Sequence, residues 1–181
     1  MDRFKFNPYS VQHSKEWWRF LTHGLLHADW EHLIMNMIVL YMFGGVVEQY
    51  FGDYFGHTAM WYYLILYIGG ILVAVIPTFE KHKNDLWYDC VGASGAVSSV
   101  LFASVLFQPL SDLCLYGVLC LPGIVWAVVY LGYSYYMDKK GGDNVNHNAH
   151  FIGAVFGIVF TLILKPGIGL VFIQKISSYF H

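Results

Sequence analysis

The apolar positions of this chain fall in long runs, separated by short stretches rich in glycine, proline or charge. Runs of this kind predict helices that are apolar on every side and long enough to cross a lipid bilayer. Asp29 can cap a helix that starts at His32 and runs through Ile34, Ile38, Val39, Leu40, Met42 and Phe43 to about residue 50. Gly52-Asp53-Tyr54-Phe55-Gly56 then turns the chain, and residues 59–76 give a second span closed by Pro77. After a polar stretch at 79–89, a third span covers 91–107 and stops at Gln108-Pro109. Pro122-Gly123 interrupts the next apolar region, which reads as an extended or re-entrant piece followed by a fourth span. A polar loop at 138–148 leads into a last span over 149–164, before Lys165-Pro166.

The segment ahead of these spans, residues 1–31, is mixed and aromatic. Trp17-Trp18-Arg19-Phe20 predicts a piece lying in the membrane interface, with indole rings at headgroup level and the arginine reaching toward headgroups. It lacks the apolar core and cleavage site of a signal peptide. The expected organisation is an interfacial segment over 1–31, a helical core over 32–165 and a tail over 166–181. No repeat or low-complexity tract interrupts it.

Composition agrees with the pattern. Of 181 residues, 57% are hydrophobic and 12% charged, where a soluble domain carries about 25% charged residues. The fold class expected is all-α, a polytopic transmembrane bundle, and the partners should come from within the lipid bilayer. Net charge is -2 with lysines and arginines scattered, so no basic face exists for nucleic acid. Cys90, Cys114 and Cys120 are odd in number and lack paired metal-ligand spacing. They read as small buried hydrophobes, with neither a disulfide framework nor a metal site expected.

Five spans alternate in direction, so the starts of the first, third and fifth lie on one side of the membrane. His32 and Asn36 stand at the first of these, Ser94 at the second and His150 at the third. At about 1.5 Å per residue, all four lie within roughly one turn of the same depth. His32 and Asn36 share a helix face, being four apart. Gly153 and Gly157 give the His150 helix a small face, and Gly92-Ala93-Ser94-Gly95 is small on every side of the serine. The two helices should approach closely enough to bring the Ser94 hydroxyl within hydrogen-bond reach of His150. His23 and His27 read instead as residues tying a loop to the bundle.

A serine becomes a nucleophile when a base takes its proton, and histidine titrates near neutrality. An oxyanion formed by attack on a carbonyl needs donors, which backbone N–H groups at the start of span three, His32 and Asn36 can supply. Asp89, the acid near Ser94, lies outside the span, so a Ser-His dyad is expected and not a triad. Other hydrolytic arrangements fit less well. Glu31-His32 lacks the His-Glu-x-x-His of a zinc protease, and Asp53, Asp89 and Asp143 fall in turns or loops rather than as an acid pair at membrane depth. The position two beyond Ser94 is Ala96, so the Gly-x-Ser-x-Gly elbow is missing. No metal or cofactor is expected.

Taken together, Trp18-Arg19, the His27, His32 and Asn36 pattern, Gly92-Ala93-Ser94-Gly95, and Ala149-His150 with Gly153 and Gly157 resemble the rhomboid family of intramembrane serine proteases. Glu48 and Gly52 also fit. The resemblance implies Ser94 as nucleophile, His150 as general base, His32 and Asn36 as oxyanion stabilisers, and a water-filled cavity open to the non-cytoplasmic side. It implies an endopeptidase acting on transmembrane segments of other proteins, in a bacterial inner membrane. Family members have six core spans against the five read here, which points to a missing span ahead of the interfacial segment and a truncated start at Met1. Relatives often carry an aromatic residue four positions after the nucleophile, packed on the catalytic histidine, where this chain has Ser98. Eight of the basic residues, from Arg3 to Lys140, lie on the catalytic side and only Lys165 and Lys175 opposite. The positive-inside rule alone would therefore put the site in the cytoplasm. Two rivals stay open: a catalytically silent relative that binds membrane proteins for quality control, and a small transporter using His150 as a proton carrier.

Overall fold

A computed structural model describes residues 2–115, 118–142 and 145–179. The described residues are mostly helical. A short 3-10 turn, Asp2–Phe4, precedes α1 (Pro8–Ser14) and α2 (Arg19–Thr22), followed by α3 (Trp30–Phe55), α4 (Ala59–Ala74) and α5 (Ile76–His82). Next come α6 (Ser94–Phe107), a hairpin of β1 (Asp112–Leu115) and β2 (Leu119–Pro122), α7 (Gly123–Lys140), α8 (His147–Leu164) and α9 (Gly167–Tyr179). By length and composition, two stretches suffice to cross a membrane: Trp30–His82, which holds α3 to α5, and His147–Leu164. Ser94–Phe107 is apolar but shorter.

That short helix is the centre of the molecule. Every residue of α6 is buried except Ser94 and Leu101, and α3, α4 and α8 pack around it. Fourteen residues rise about 21 Å, against about 39 Å for the 26 of α3. A helix this short fits because its neighbours, not lipid, surround it. The contacts are made by small residues. Added to Gly153 or Gly157, a Cβ would overlap the backbone carbonyls of Gly95 or Ser99, and at Gly70 it would sit 2.8 Å from the Ala96 Cα. Ser99 Oγ donates to the carbonyls of Gly95 at 3.0 Å and Gly153 at 2.8 Å, binding α6 to α8 at the closest crossing.

Helix ends follow local chemistry. Asp29 accepts from the His32 N–H at 2.7 Å and opens α3, which runs through Gly52 and Asp53 and ends at Gly56, with φ of 55°. The turn expected at 52–56 is thus the last turn of the helix, and Asp53 lies on it. Pro77 starts α5 rather than closing α4, since proline fits the first turn of a helix, where no N–H partner is needed. Asn146 opens α8 by accepting from the Ala149 N–H at 3.0 Å.

Two expectations need correction. Arg19 does not reach outward: it is buried, and Nη1 donates to the carbonyls of Asp2 at 2.9 Å and Lys5 at 2.7 Å. A guanidinium with several donors satisfies loop carbonyls better than one headgroup contact. The tryptophans beside it, Trp17 and Trp18, remain about half exposed. The cysteines are not all free, because Cys114 and Cys120 form a disulfide and only Cys90 is unpaired. The hairpin register sets Cys114 opposite Cys120, which counting cysteines along the chain could not reveal. The same hairpin is the extended piece expected before the fourth span.

Candidate functional site

Ser94 is the first residue of α6, so its N–H and that of Gly95 belong to the turn that has no partner within the helix. His150 lies in the first turn of α8. The glycine contacts between the two helices fix their separation, and Ser94 Oγ stands 2.7 Å from His150 Nε2. Ahead of the serine, Gly92 adopts φ of 122°, a left-handed conformation that a side chain would strain. Its Cβ position would meet the His32 ring at 2.7 Å, so His32 rests directly on the backbone leading to Ser94. The Gly92 N–H donates to the His23 carbonyl at 3.0 Å.

Asn36, one turn along α3 from His32, is 6% exposed, and its Nδ2 has no partner among the described residues. A buried amide donor left unmade costs about 1–3 kcal/mol. It lines a cleft of about 1250 Å³ that also holds His27, His32, Ser94, Ser98, Tyr130 and His150. Deeper along α6, the cleft is walled by Val39 and Phe43 of α3 and by Trp126 and Ala127 of α7, with Val97, Leu101 and Val105 as its floor. The site is thus polar at one end and an apolar trough at the other.

All four residues singled out for chemistry, Ser94, His150, His32 and Asn36, come to this cleft. Gly92 and Gly95 flank the serine, while Gly153 and Gly157 form the α8 face against α6. His23 is buried, and its Nδ1 donates to the Arg19 carbonyl one turn back in the same segment at 3.0 Å. His27 differs. Its ring meets His32 edge-on at 5.2 Å, and burial, then the neighbouring His32, lowers its pKa.

Sequence reasoning missed other parts of the surroundings. Ser98 Oγ is 2.7 Å from the Tyr130 phenol oxygen, and the Tyr130 ring lies 6.1 Å from His150 at 21°. His147 meets His150 edge-on at 5.8 Å and Tyr133 at 5.6 Å. The segment before Ser94 is tied to the N-terminus by a two-way backbone bridge between Phe6 and Cys90, at 2.9 and 3.0 Å. Asn7 adds donations to the carbonyls of Leu86 and Tyr88, and burial raises the Cys90 thiol to about 11. Asn7, eight residues before Lys15, carried no motif to mark it. Asp143 lies outside the described residues. Among the described residues, no group of three or more His, Cys, Asp or Glu side chains is placed to hold a metal.

The family model for the Rhomboid domain matches residues 14–167. The chain is 30% identical over 167 residues to rhomboid-like protein 11, chloroplastic, of Arabidopsis thaliana, covering 82% of this chain and 53% of that protein. It is 30% identical over 112 residues to rhomboid protease AarA of Providencia stuartii, covering 58% and 39%. Against the putative rhomboid protease YdcA of Bacillus subtilis it is 28% identical over 148 residues, covering 82% and 67%. The chain spans about half the length of the first two relatives. A match over most of the chain, to a family of integral membrane proteins, makes the chain a member of the rhomboid family.

Proposed function

We propose that this chain is an intramembrane serine endopeptidase that cuts transmembrane segments of other proteins with a Ser94-His150 dyad. The observation that carries this reading is the 2.7 Å contact between Ser94 Oγ and His150 Nε2 at the polar end of a cleft otherwise lined by apolar side chains. With Nε2 unprotonated, the serine hydroxyl donates to it, and the imidazole takes the proton as Oγ attacks a peptide carbonyl. The oxyanion that forms is met by the N–H groups of the first turn of α6, by Asn36 Nδ2 and by the His32 ring. Collapse expels the amine, which receives the proton from His150, and leaves an acyl-Ser94. Water, activated by the same imidazole, then releases the acid.

The shape of the cleft supports a helical substrate entering sideways. Movement of the second or the fourth span, α4 or α7, would be one way to admit it. α4 packs against both α6 and α8, with Leu66, Gly70, Ile71 and Ala74 buried, whereas the cleft runs between α3 and α7. α7 is therefore the wall placed to yield. A substrate must unwind to offer a carbonyl to Ser94, so residues that weaken a helix near the scissile bond should favour cleavage. In this reading the protein sits in a bacterial inner membrane with the Ser94 end of the cleft on the non-cytoplasmic side. Reporter fusions after Lys140 test that orientation, and a cytoplasmic signal overturns it.

The catalytically silent, substrate-binding alternative uses the same cleft. Purified protein incubated with a membrane-embedded test segment decides between them: cleavage lost in both Ser94→Ala and His150→Ala supports the protease. Capture of the segment without cleavage by the folded wild-type chain supports the binding protein.

A further inference from the structure

We propose that Tyr130 is a positioning residue for the His150 ring, anchored to the nucleophile helix by the hydroxyl of Ser98. The inference rests on the Ser94-His150 reading above and adds to it a residue from a different helix. Ser98 lies one turn beyond Ser94 on the same face of α6. It is 2% exposed, and a buried hydroxyl needs a partner. Tyr130 of α7 supplies it at 2.7 Å, which fixes the phenol oxygen relative to α6.

The other end of the same side chain faces the imidazole. The Tyr130 and His150 rings are nearly parallel, 21° apart, with centroids at 6.1 Å, within the range of offset aromatic pairs. Phe102, on α6, packs against Tyr130 at 5.8 Å. The tyrosine is thus held at its hydroxyl and along one edge by α6, and it presents a face to the residue that must stay aligned with Ser94. One turn earlier on α8, His147 lies edge-on to His150 and itself meets Tyr133 of α7. Rotation of the imidazole away from Ser94 toward α7 would have to displace the Tyr130 ring. One α6 face therefore carries the nucleophile and the anchor of the group that confines its base. Because Tyr130 also lines the cleft, displacement of α7 by a substrate would be felt at His150.

The test is the rate at which a fluorophosphonate labels Ser94 in detergent-purified full chain, separated into the rate at saturating probe and the probe concentration at half saturation. Ser94→Ala is the control, and melting temperature is measured for each variant. Tyr130→Leu, which fills most of the space without a ring, should lower the saturating rate about tenfold or more, with the half-saturating concentration unchanged. Tyr130→Phe keeps the ring and should restore most of the rate. Ser98→Ala and Tyr130→Phe remove the same bond, so their effects should not add in the double variant. Tyr130→Leu labelling at the wild-type rate, or Phe losing as much as Leu, overturns the proposal. If Tyr130→Leu does not fold, the Ser98→Ala and Tyr130→Phe pair decides, and additive losses overturn it. Wild-type chain that labels at Ser94 while Tyr130→Leu is unaffected defeats this inference alone; wild-type chain that never labels defeats the protease reading and the inference with it.

Discussion

The two sides of α6 are built on opposite principles. Toward α8 the backbones touch: Gly153 and Gly157 leave no room for a Cβ, and Ser99 bonds across to the Gly153 carbonyl. Toward α3 and α7 the same helix borders a cleft of about 1250 Å³ whose far end is an apolar trough. Ser94 sits where the two meet, at the end of the helix. The tight side sets the distance between Ser94 and His150 to the accuracy of backbone packing, while the open side leaves the serine hydroxyl approachable. A bundle tight on both sides would admit no substrate, and one loose on both would not keep a 2.7 Å contact.

The comparison breaks most severely at its tight side. Gly153→Val places a branched side chain against the Gly95 carbonyl, where backbone on both helices would have to move. The expected cost is about 3 kcal/mol or more, read as loss of monodisperse protein or a collapsed melting temperature; normal folding would show that α6 and α8 are not held as described. At the junction, Asn36→Ala removes a donor, Nδ2, that has no partner to lose among the described residues. Turnover should fall about 10²–10³-fold with little change in stability, and unchanged turnover would remove Asn36 from the oxyanion site. On the open side, Val39→Trp narrows the trough away from Ser94. It should slow cleavage of a transmembrane segment severalfold while leaving labelling by a small probe intact, and an equal loss of both would mean that the trough is not the substrate's path.

The smallest effect concerns the segment that ties the site to the N-terminus. Burial lowers the His23 pKa below its ordinary 6.5. The unfolded chain then binds the proton more readily than the folded one, so the stability His23 contributes is complete above about pH 6.5 and is lost as pH falls through the folded value. His23→Gln should flatten part of the fall in melting temperature on acidification. An unchanged slope would assign that fall to other groups.

Much of the tight side was legible in the sequence. Glycines three and seven residues after His150, and small residues around Ser94, dictate a close crossing whatever else surrounds them, and equal depth at the starts of alternate spans places the four polar side chains together. What was not legible depends on partners from distant segments. Ser98 by itself reads as a missing aromatic residue, and only the packing of α7 shows that Tyr130 brings a ring to His150 from another helix. Arg19 in an aromatic interfacial stretch suits headgroups equally well until the carbonyls of Asp2 and Lys5 are seen around it. The Cys114–Cys120 pairing follows from hairpin register, which neither cysteine number nor spacing encodes. The Phe6–Cys90 bridge joins segments 84 residues apart through backbone groups alone, so no side-chain pattern marks it.

The central claim is that Ser94 is an activated nucleophile with His150 as its base. Fluorophosphonate labelling of the folded, detergent-purified chain, with the modified residue located by peptide mass spectrometry, addresses it most directly. The account predicts a single adduct on Ser94 that disappears in both Ser94→Ala and His150→Ala. An unlabelled wild-type chain, or labelling that persists at Ser94 without His150, would contradict it.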